Sequence, residues 1–199
     1  MPLHQVLEEA DQETLALVDG DRSWTFAQLD AAAAALAARV TSGTEPGDRV
    51  AIVGHNSAAY VPALYGVPRA GRILTLLNQR LSTTEMIQQL DDSGAVTLLG
   101  EEPFLDRLWV RRPASLRRRL QLPEAAEVDG GSPGFGRPTI SDGDVAWLIF
   151  TSGTTGRAKG AMLTHAGLSA AASAASRARA VAPDEVYLYA FPLCHVAAY

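Results

Sequence analysis

Between residues 49 and 99, three short aliphatic runs alternate with stretches of helical period, and no other feature constrains the fold of this chain as tightly. Residues 49–53, 73–77 and 96–99 are continuous, largely β-branched or leucine-rich, and too short for buried helices, so they read as strands covered on both faces. The residues between them carry helix-start signals. Asn56 or Ser57 can cap a helix running toward Ala70, weakened by Pro62 and Pro68, since an internal proline removes a donor and crowds the preceding turn. Ser82 with Glu85 forms a capping box that opens a helix through Met86, Ile87 and Leu90. Upstream, Thr25 with Gln28 forms another. Phe26, Leu29, Ala33, Leu36 and Val40 then share one face of a helix over 26–40, which stops near Gly43 before a turn at 45–48. Strands separated by helices repeat the βαβ unit. The expected fold class is therefore α/β, a parallel sheet with helices on both faces.

Residues 123–144 change character, with Gly130, Gly131, Pro133, Gly134, Gly136 and Pro138 closely spaced, and read as a Gly/Pro-rich linker. On this reading residues 1–122 form a first α/β portion and 145–199 begin a second. That second part starts with an apolar strand at 145–151, continues through a Gly-rich loop and an alanine-rich helix over 165–180, and reaches a strand at 186–190.

Composition narrows the function classes. The 199 residues are 47% apolar and 20% charged, the balance of an ordinary folded protein, and a net charge of -5 gives no general attraction to nucleic acid. Against that balance stands a cluster of Arg107, Arg111, Arg112, Arg117, Arg118 and Arg119, read as a solvated helix face rather than a patch for phosphates or lipid headgroups. The single cysteine, Cys194, excludes an internal disulfide and a multi-cysteine metal site, and suits a reducing compartment such as the cytoplasm. The first ten residues include Glu8 and Glu9 and lack the basic start and apolar run of a secretory signal. No apolar run approaches the ~20 residues needed to cross a bilayer, so membrane association is expected to be peripheral at most.

The chemistry concentrates in residues 148–160, where a buried strand runs into hydroxyls, glycines and a lysine: Leu-Ile-Phe-Thr-Ser-Gly-Thr-Thr-Gly-Arg-Ala-Lys-Gly. Glycines let backbone N–H groups curl around an anion, Ser and Thr hydroxyls add donors, and a lysine supplies the charge a polyphosphate needs. The candidate residues are Thr151, Ser152, Gly153, Thr154, Thr155, Gly156, Lys159 and Gly160. The ordinary P-loop pattern fails here, because Lys159 follows Ala158 and precedes Gly160 where Gly and Ser or Thr are required. A ligand-free Gly/Ser/Thr turn is the alternative for any shorter stretch. His4, His55 and His165 show no spacing that suggests a metal, and no metal ligands are assigned.

The whole string resembles the phosphate-binding signature of the adenylate-forming superfamily: acyl-CoA synthetases, luciferases and the adenylation domains of peptide synthetases. Ala158 stands where the family usually has proline. The blocks 25–30, 46–51 and 70–78 resemble the family's opening segments in order and spacing, with Leu76 at a place where proline is common. Residues 191–197 resemble its next block, in which a histidine or aromatic residue lies near the acyl-adenylate pocket, making His195 a second candidate and Cys194 a small buried filler.

The resemblance implies an incomplete amino-terminal domain of the adenylate-forming fold. It implies an ATP-dependent acid–CoA ligase in which a carboxylic acid attacks the α-phosphate of Mg-ATP, with coenzyme A then displacing AMP. The loop hydroxyls and amides would hold the β- and γ-phosphates, and Lys159 would offset charge on the departing pyrophosphate. On family prevalence the expected acid is a fatty acid. The family's later blocks, including its magnesium-binding acid, are not reached by residue 199, so a remaining chain or partner is expected to complete the domain. A peptide-synthetase adenylation module and a non-catalytic remnant that binds nucleotide or a partner are the alternatives.

Overall fold

A computed structural model describes residues 1–122, 136, 138–151, 158–182 and 185–195. A short helix α1 (Gln5–Glu9) precedes a hairpin of β1 (Leu15–Asp19) and β2 (Arg22–Thr25), which forms its own two-stranded sheet. Then follow α2 (Phe26–Thr41), β3 (Arg49–Val53), α3 (Val61–Arg69), β4 (Ile73–Leu76), α4 (Thr83–Ser93), β5 (Thr97–Gly100), α5 (Glu102–Trp109) and β6 (Arg118–Gln121). After the 123–144 segment come β7 (Val145–Thr151), β8 (Lys159–Thr164) and α6 (His165–Arg179). The main sheet has the order β6-β5-β3-β4-β7-β8, parallel throughout except that β8 runs antiparallel to β7. Strand β7 therefore joins the same sheet as the strands that precede the 123–144 segment, beside β4.

The pleat of β3 shows why the sheet is covered twice. Val50 and Ile52 pack with Leu36, Val40, Ala63 and Val67 of α2 and α3, while Ala51 and Val53 pack with Met86, Leu90, Leu105 and Leu108 of α4 and α5. Alternate residues of a strand point to opposite faces, so continuous apolar character is what a doubly covered strand requires. Both capping boxes are present: the Thr25 hydroxyl accepts from Gln28 N, the Ser82 hydroxyl accepts from Glu85 N, and each third residue reaches back to its cap. Gly43 and Gly94, at φ 78° and 61°, take the left-handed conformation just past α2 and α4.

Helix α3 departs from expectation in a way the prolines explain. It starts at Val61, five residues beyond Asn56, because Pro62 fits only in a first turn where its missing N–H costs nothing. Pro68 stays inside the helix. In an α-helix the N–H of residue 68 would donate to the carbonyl of Leu64; Trp147 of β7 takes that place, its indole Nε1 donating to Leu64 O at 2.9 Å. A cross-sheet side chain thus satisfies the carbonyl that proline orphans.

Helix α3 also crosses α2 at close range. A Cβ built on Gly66 would lie 2.4 Å from the carbonyl oxygen of Ala33, well inside contact distance. Gly66→Ala is therefore expected to push the helices apart and lower unfolding free energy by about 1–3 kcal/mol, read from urea denaturation.

Several elements escape the sequence reading: α1, the β1–β2 hairpin, α5, β6 and β8. The arginine cluster does not form one helix face. Arg107 lies on α5, Arg111, Arg112 and Arg117 on the connection that follows, and Arg118 and Arg119 on the edge strand β6, because the chain turns at Pro113. The strand expected at 186–190 is not formed. Val186 and Leu188 are exposed there, and a strand without a neighbouring ladder has nothing to satisfy its backbone.

The first residues are tied to the far end of the chain. The Met1 ammonium meets Asp142 at 2.8 Å, Ser169 Oγ donates to Met1 O, and Leu3 N donates to Nδ1 of buried His165. Burial, reinforced by His4, lowers the His165 pKa, which favours the neutral ring that can accept this bond. Among the described residues no helix is long and apolar enough to cross a membrane.

Candidate functional site

Ligands of open α/β sheets gather outside the carboxyl ends of the strands, and here that edge collects most of the chain's chemistry-bearing residues. Strand β7 ends at Thr151 and β8 begins at Lys159, which is its Cα partner. The Thr151 hydroxyl donates to Lys159 O at 3.4 Å, and both residues are exposed. Gly160, the next β8 residue, sits opposite Phe150, and a Cβ there would come 2.9 Å from Leu148 Cδ1. The two ends of the Gly-rich string are thus held side by side by an antiparallel pair that the sequence reading did not anticipate. Ser152, Gly153, Thr154, Thr155 and Gly156 lie outside the described residues.

His195 arrives at the same edge by a different route. The segment 191–195 is laid across the ends of β3 and β4 and held there by Asn56. One face of that amide donates from Nδ2 to Phe191 O at 2.8 Å, and its Oδ1 accepts from Leu193 N, also at 2.8 Å. Leu193 and Cys194 are buried by this arrangement, and His195 N donates to Pro192 O at 2.9 Å, closing a turn that leaves the imidazole exposed. Asn56 reads from sequence as a helix cap. Its actual task is set by an element 135 residues later, which local pattern cannot report.

The Cys194 thiol donates to Gln79 Oε1 at 3.2 Å. Burial raises its pKa, so it stays protonated near neutral pH and serves as packing rather than as a nucleophile. Because the chain has one cysteine, that thiol also reports on the clamp. Asn56→Ala should leave the far-ultraviolet circular dichroism unchanged and raise the rate of Cys194 modification by an aromatic disulfide reagent at least tenfold. An unchanged rate would show that the segment is held by its other contacts.

Between these groups lies a cavity of about 390 Å³, lined by Phe150, Thr151 and Ala158 on one side and by Asn78, Cys194 and His195 on another. The structure therefore brings His195 and the start of the glycine-rich string to one hollow. Lys159 opens onto an adjoining, wider hollow of about 810 Å³ with Phe150 and Met162. One strand further along the same edge, His55 N donates to Glu101 Oε1 at 2.8 Å, and the His55 ring meets Oε2 at 2.7 Å. Among the described residues no three or more His, Cys, Asp or Glu side chains converge as a metal cage.

Comparison with known proteins places this geometry. Residues 4–199 match the family model described as AMP-binding enzyme. Feruloyl-CoA synthase of Amycolatopsis sp is 36% identical over 184 residues, covering 92% of this chain and 37% of that protein. The 2-succinylbenzoate–CoA ligase of Bacillus licheniformis is 30% identical over 194 residues, covering 94% of this chain and 39% of that protein. Among solved structures, o-succinylbenzoate CoA synthetase from Bacillus subtilis, in complex with its acyl-adenylate intermediate, superposes with a TM-score of 0.86 at 27% identity. That match covers 100% of this chain and 51% of the other. The chain thus spans under two-fifths of these two curated relatives and about half of the solved structure. With its parallel sheet, its paired Thr151 and Lys159 and its match over 4–199, the chain belongs to the AMP-binding enzyme family, as part of the amino-terminal α/β domain.

Proposed function

We propose that this chain is the phosphate-holding, amino-terminal part of an ATP-dependent carboxylic acid–CoA ligase. The observation that carries the reading is the pairing of Thr151 with Lys159 at the carboxyl edge of the sheet, where Thr151 lines the hollow that His195 also lines and Lys159 lines the adjoining one. A hydroxyl and an exposed ammonium at the two ends of a glycine- and threonine-rich string suit the β- and γ-phosphates of ATP. In this role Ser152, Gly153, Thr154, Thr155, Gly156 and Gly160 supply further donors and close backbone approach. Magnesium would come in on the phosphates, the ordinary way this ion reaches a nucleoside triphosphate site. When bound, ATP would supply the adenylyl group that the carboxylate takes at the α-phosphorus; the chain's part is to position the triphosphate and to offset charge as pyrophosphate departs. His195, exposed and backed by buried Cys194, bounds the acid's side of the hollow.

In this reading 123–144 is the long connection that returns the chain from edge strand β6 to β7, and 145–199 begins the part that carries the nucleotide loop. The unpaired thiol of Cys194 fits a reducing, cytoplasmic setting. Coenzyme A is the acceptor, as it is in the relatives' reactions by their names. For the acid, the relatives favour a ring-bearing carboxylate over the fatty acid expected from family prevalence, since feruloyl and succinylbenzoate groups both carry an aromatic ring. The test is pyrophosphate exchange into ATP, run on the longest protein that the coding frame specifies, with hydroxycinnamates, 2-succinylbenzoate and a fatty-acid series. Exchange is expected with an aromatic acid. Exchange with fatty acids alone would overturn the substrate class, and none with any acid would overturn the ligase.

A further inference from the structure

The proposed ligase chemistry uses one edge of the sheet and leaves unexplained the arginines at the opposite margin. Residues 107–119 hold six arginines and no acidic residue, in a chain whose net charge is -5, so the remaining residues together carry -11. Basic charge is therefore concentrated in this stretch of the chain. Arg107, Arg111, Arg112, Arg117 and Arg119 are exposed, around the end of α5, the turn that follows and the edge strand β6. Two contacts account for part of the set: Arg119 pairs with Asp106 at 2.8 Å, and Arg118 donates to Ser42 O. Among the described residues, the Arg111 and Arg117 side chains have no carboxylate or carbonyl partner.

Apolar groups sit in the middle of this charge. Val110 is 83% exposed at the tip of the turn, between Trp109 and the Arg111–Arg112 pair. Beside it is an open hollow of about 400 Å³ whose floor is Val110, Pro113, Ala114 and Leu116 and whose rim includes Arg112 and Arg117. The Trp109 ring is covered by guanidinium groups, Arg112 at 4.3 Å and Arg119 at 5.8 Å from its centroid.

We infer that this margin is a docking surface for an anionic lipid bilayer. A protruding valine and an apolar floor ringed by guanidinium groups match the acyl–headgroup boundary, where apolar atoms go under and cations stay with the phosphates. The guanidinium groups gathered at this margin supply the local attraction to a flat anionic surface, with the nearby carboxylate of Asp106 paired to Arg119. A nucleic acid fits less well. The indole face that would stack on a base is already occupied by arginine.

The test is co-sedimentation of this chain with phosphatidylglycerol/phosphatidylcholine vesicles at low and physiological salt, beside zwitterionic vesicles and a single-stranded oligonucleotide. Binding to the anionic vesicles alone is expected, weakening as salt rises. Each arginine near an anionic surface is worth about a fivefold change in partitioning, so R111E/R117E should lower it by more than about 25-fold. Val110→Asp should lower it as well, while Val110→Leu preserves or strengthens it. Circular dichroism on each variant separates lost binding from lost fold. No binding to anionic vesicles, binding indifferent to both substitutions, or preference for the oligonucleotide would each overturn the inference. None of these results bears on nucleotide binding at the opposite edge.

Discussion

Trp147→Ala is expected to lower unfolding free energy by about 4 kcal/mol, a large share of the 5–15 kcal/mol that holds a typical domain together. Two losses combine. Trp147 is 4% exposed in the cluster that joins β7 to α2 and α3, so truncation leaves a large cavity at the junction of three elements. It also strips the donor from Leu64 O, whose own helical partner is the nitrogen of Pro68 and carries no hydrogen. Trp147→Phe separates the two. It refills most of the volume and leaves the carbonyl unsatisfied, so a loss of about 1–3 kcal/mol is expected. Urea denaturation followed by circular dichroism measures both. Equal effects from Ala and Phe would mean that the hydrogen bond dominates the packing.

The second large effect is expected at a buried charge. Arg69 is 1% exposed at the end of α3, and it reaches Asp30 of α2 at 2.6 Å and Glu8 of α1 at 3.0 Å, fastening three helices. Removing one partner of a buried ion pair costs more than replacing the pair, because the remaining charge is left without its counter-ion. Asp30→Ala is thus expected to cost about 3 kcal/mol, the low end of that range, since Glu8 stays in place. Arg69→Met should cost less. It fills the same space, and Asp30 and Glu8, at 23% and 29% side-chain exposure, can take up water. A larger loss from Arg69→Met than from Asp30→Ala would reverse this ordering and point to packing of the stem.

These two sites show what was legible in the sequence. The capping residues Thr25 and Ser82 announce α2 and α4 to within a residue, because a cap is a local bond between positions three apart. The doubly buried strands are legible from their unbroken apolar character. Pro68 is visible as a helix problem, but its solution is an indole from a strand 79 positions later, and no local pattern encodes that. Asn56 is the same case at the site. It looks like a cap and works as a clamp on 191–193. Edge strand β6 is missed because Arg118, Arg119 and Gln121 interrupt its apolar pattern, and an exposed edge needs none. Strand β8 is missed because the pattern of glycines and hydroxyls gives Lys159 and Gly160 wholly to the loop, whereas they also pair with Thr151 and Phe150.

The phosphate-holding role of residues 151–160 is the central claim, and it is tested most directly by titrating this chain with Mg-ATP in a calorimeter beside its Lys159→Ala variant. The exposed position of Lys159 at the first residue of β8 allows the substitution without disturbing the core. Saturable binding by the unmodified chain and at least a tenfold loss in the variant is the predicted result. Equal affinity in the two would contradict the assignment of this lysine, and with it the account of the string as the ATP phosphate site.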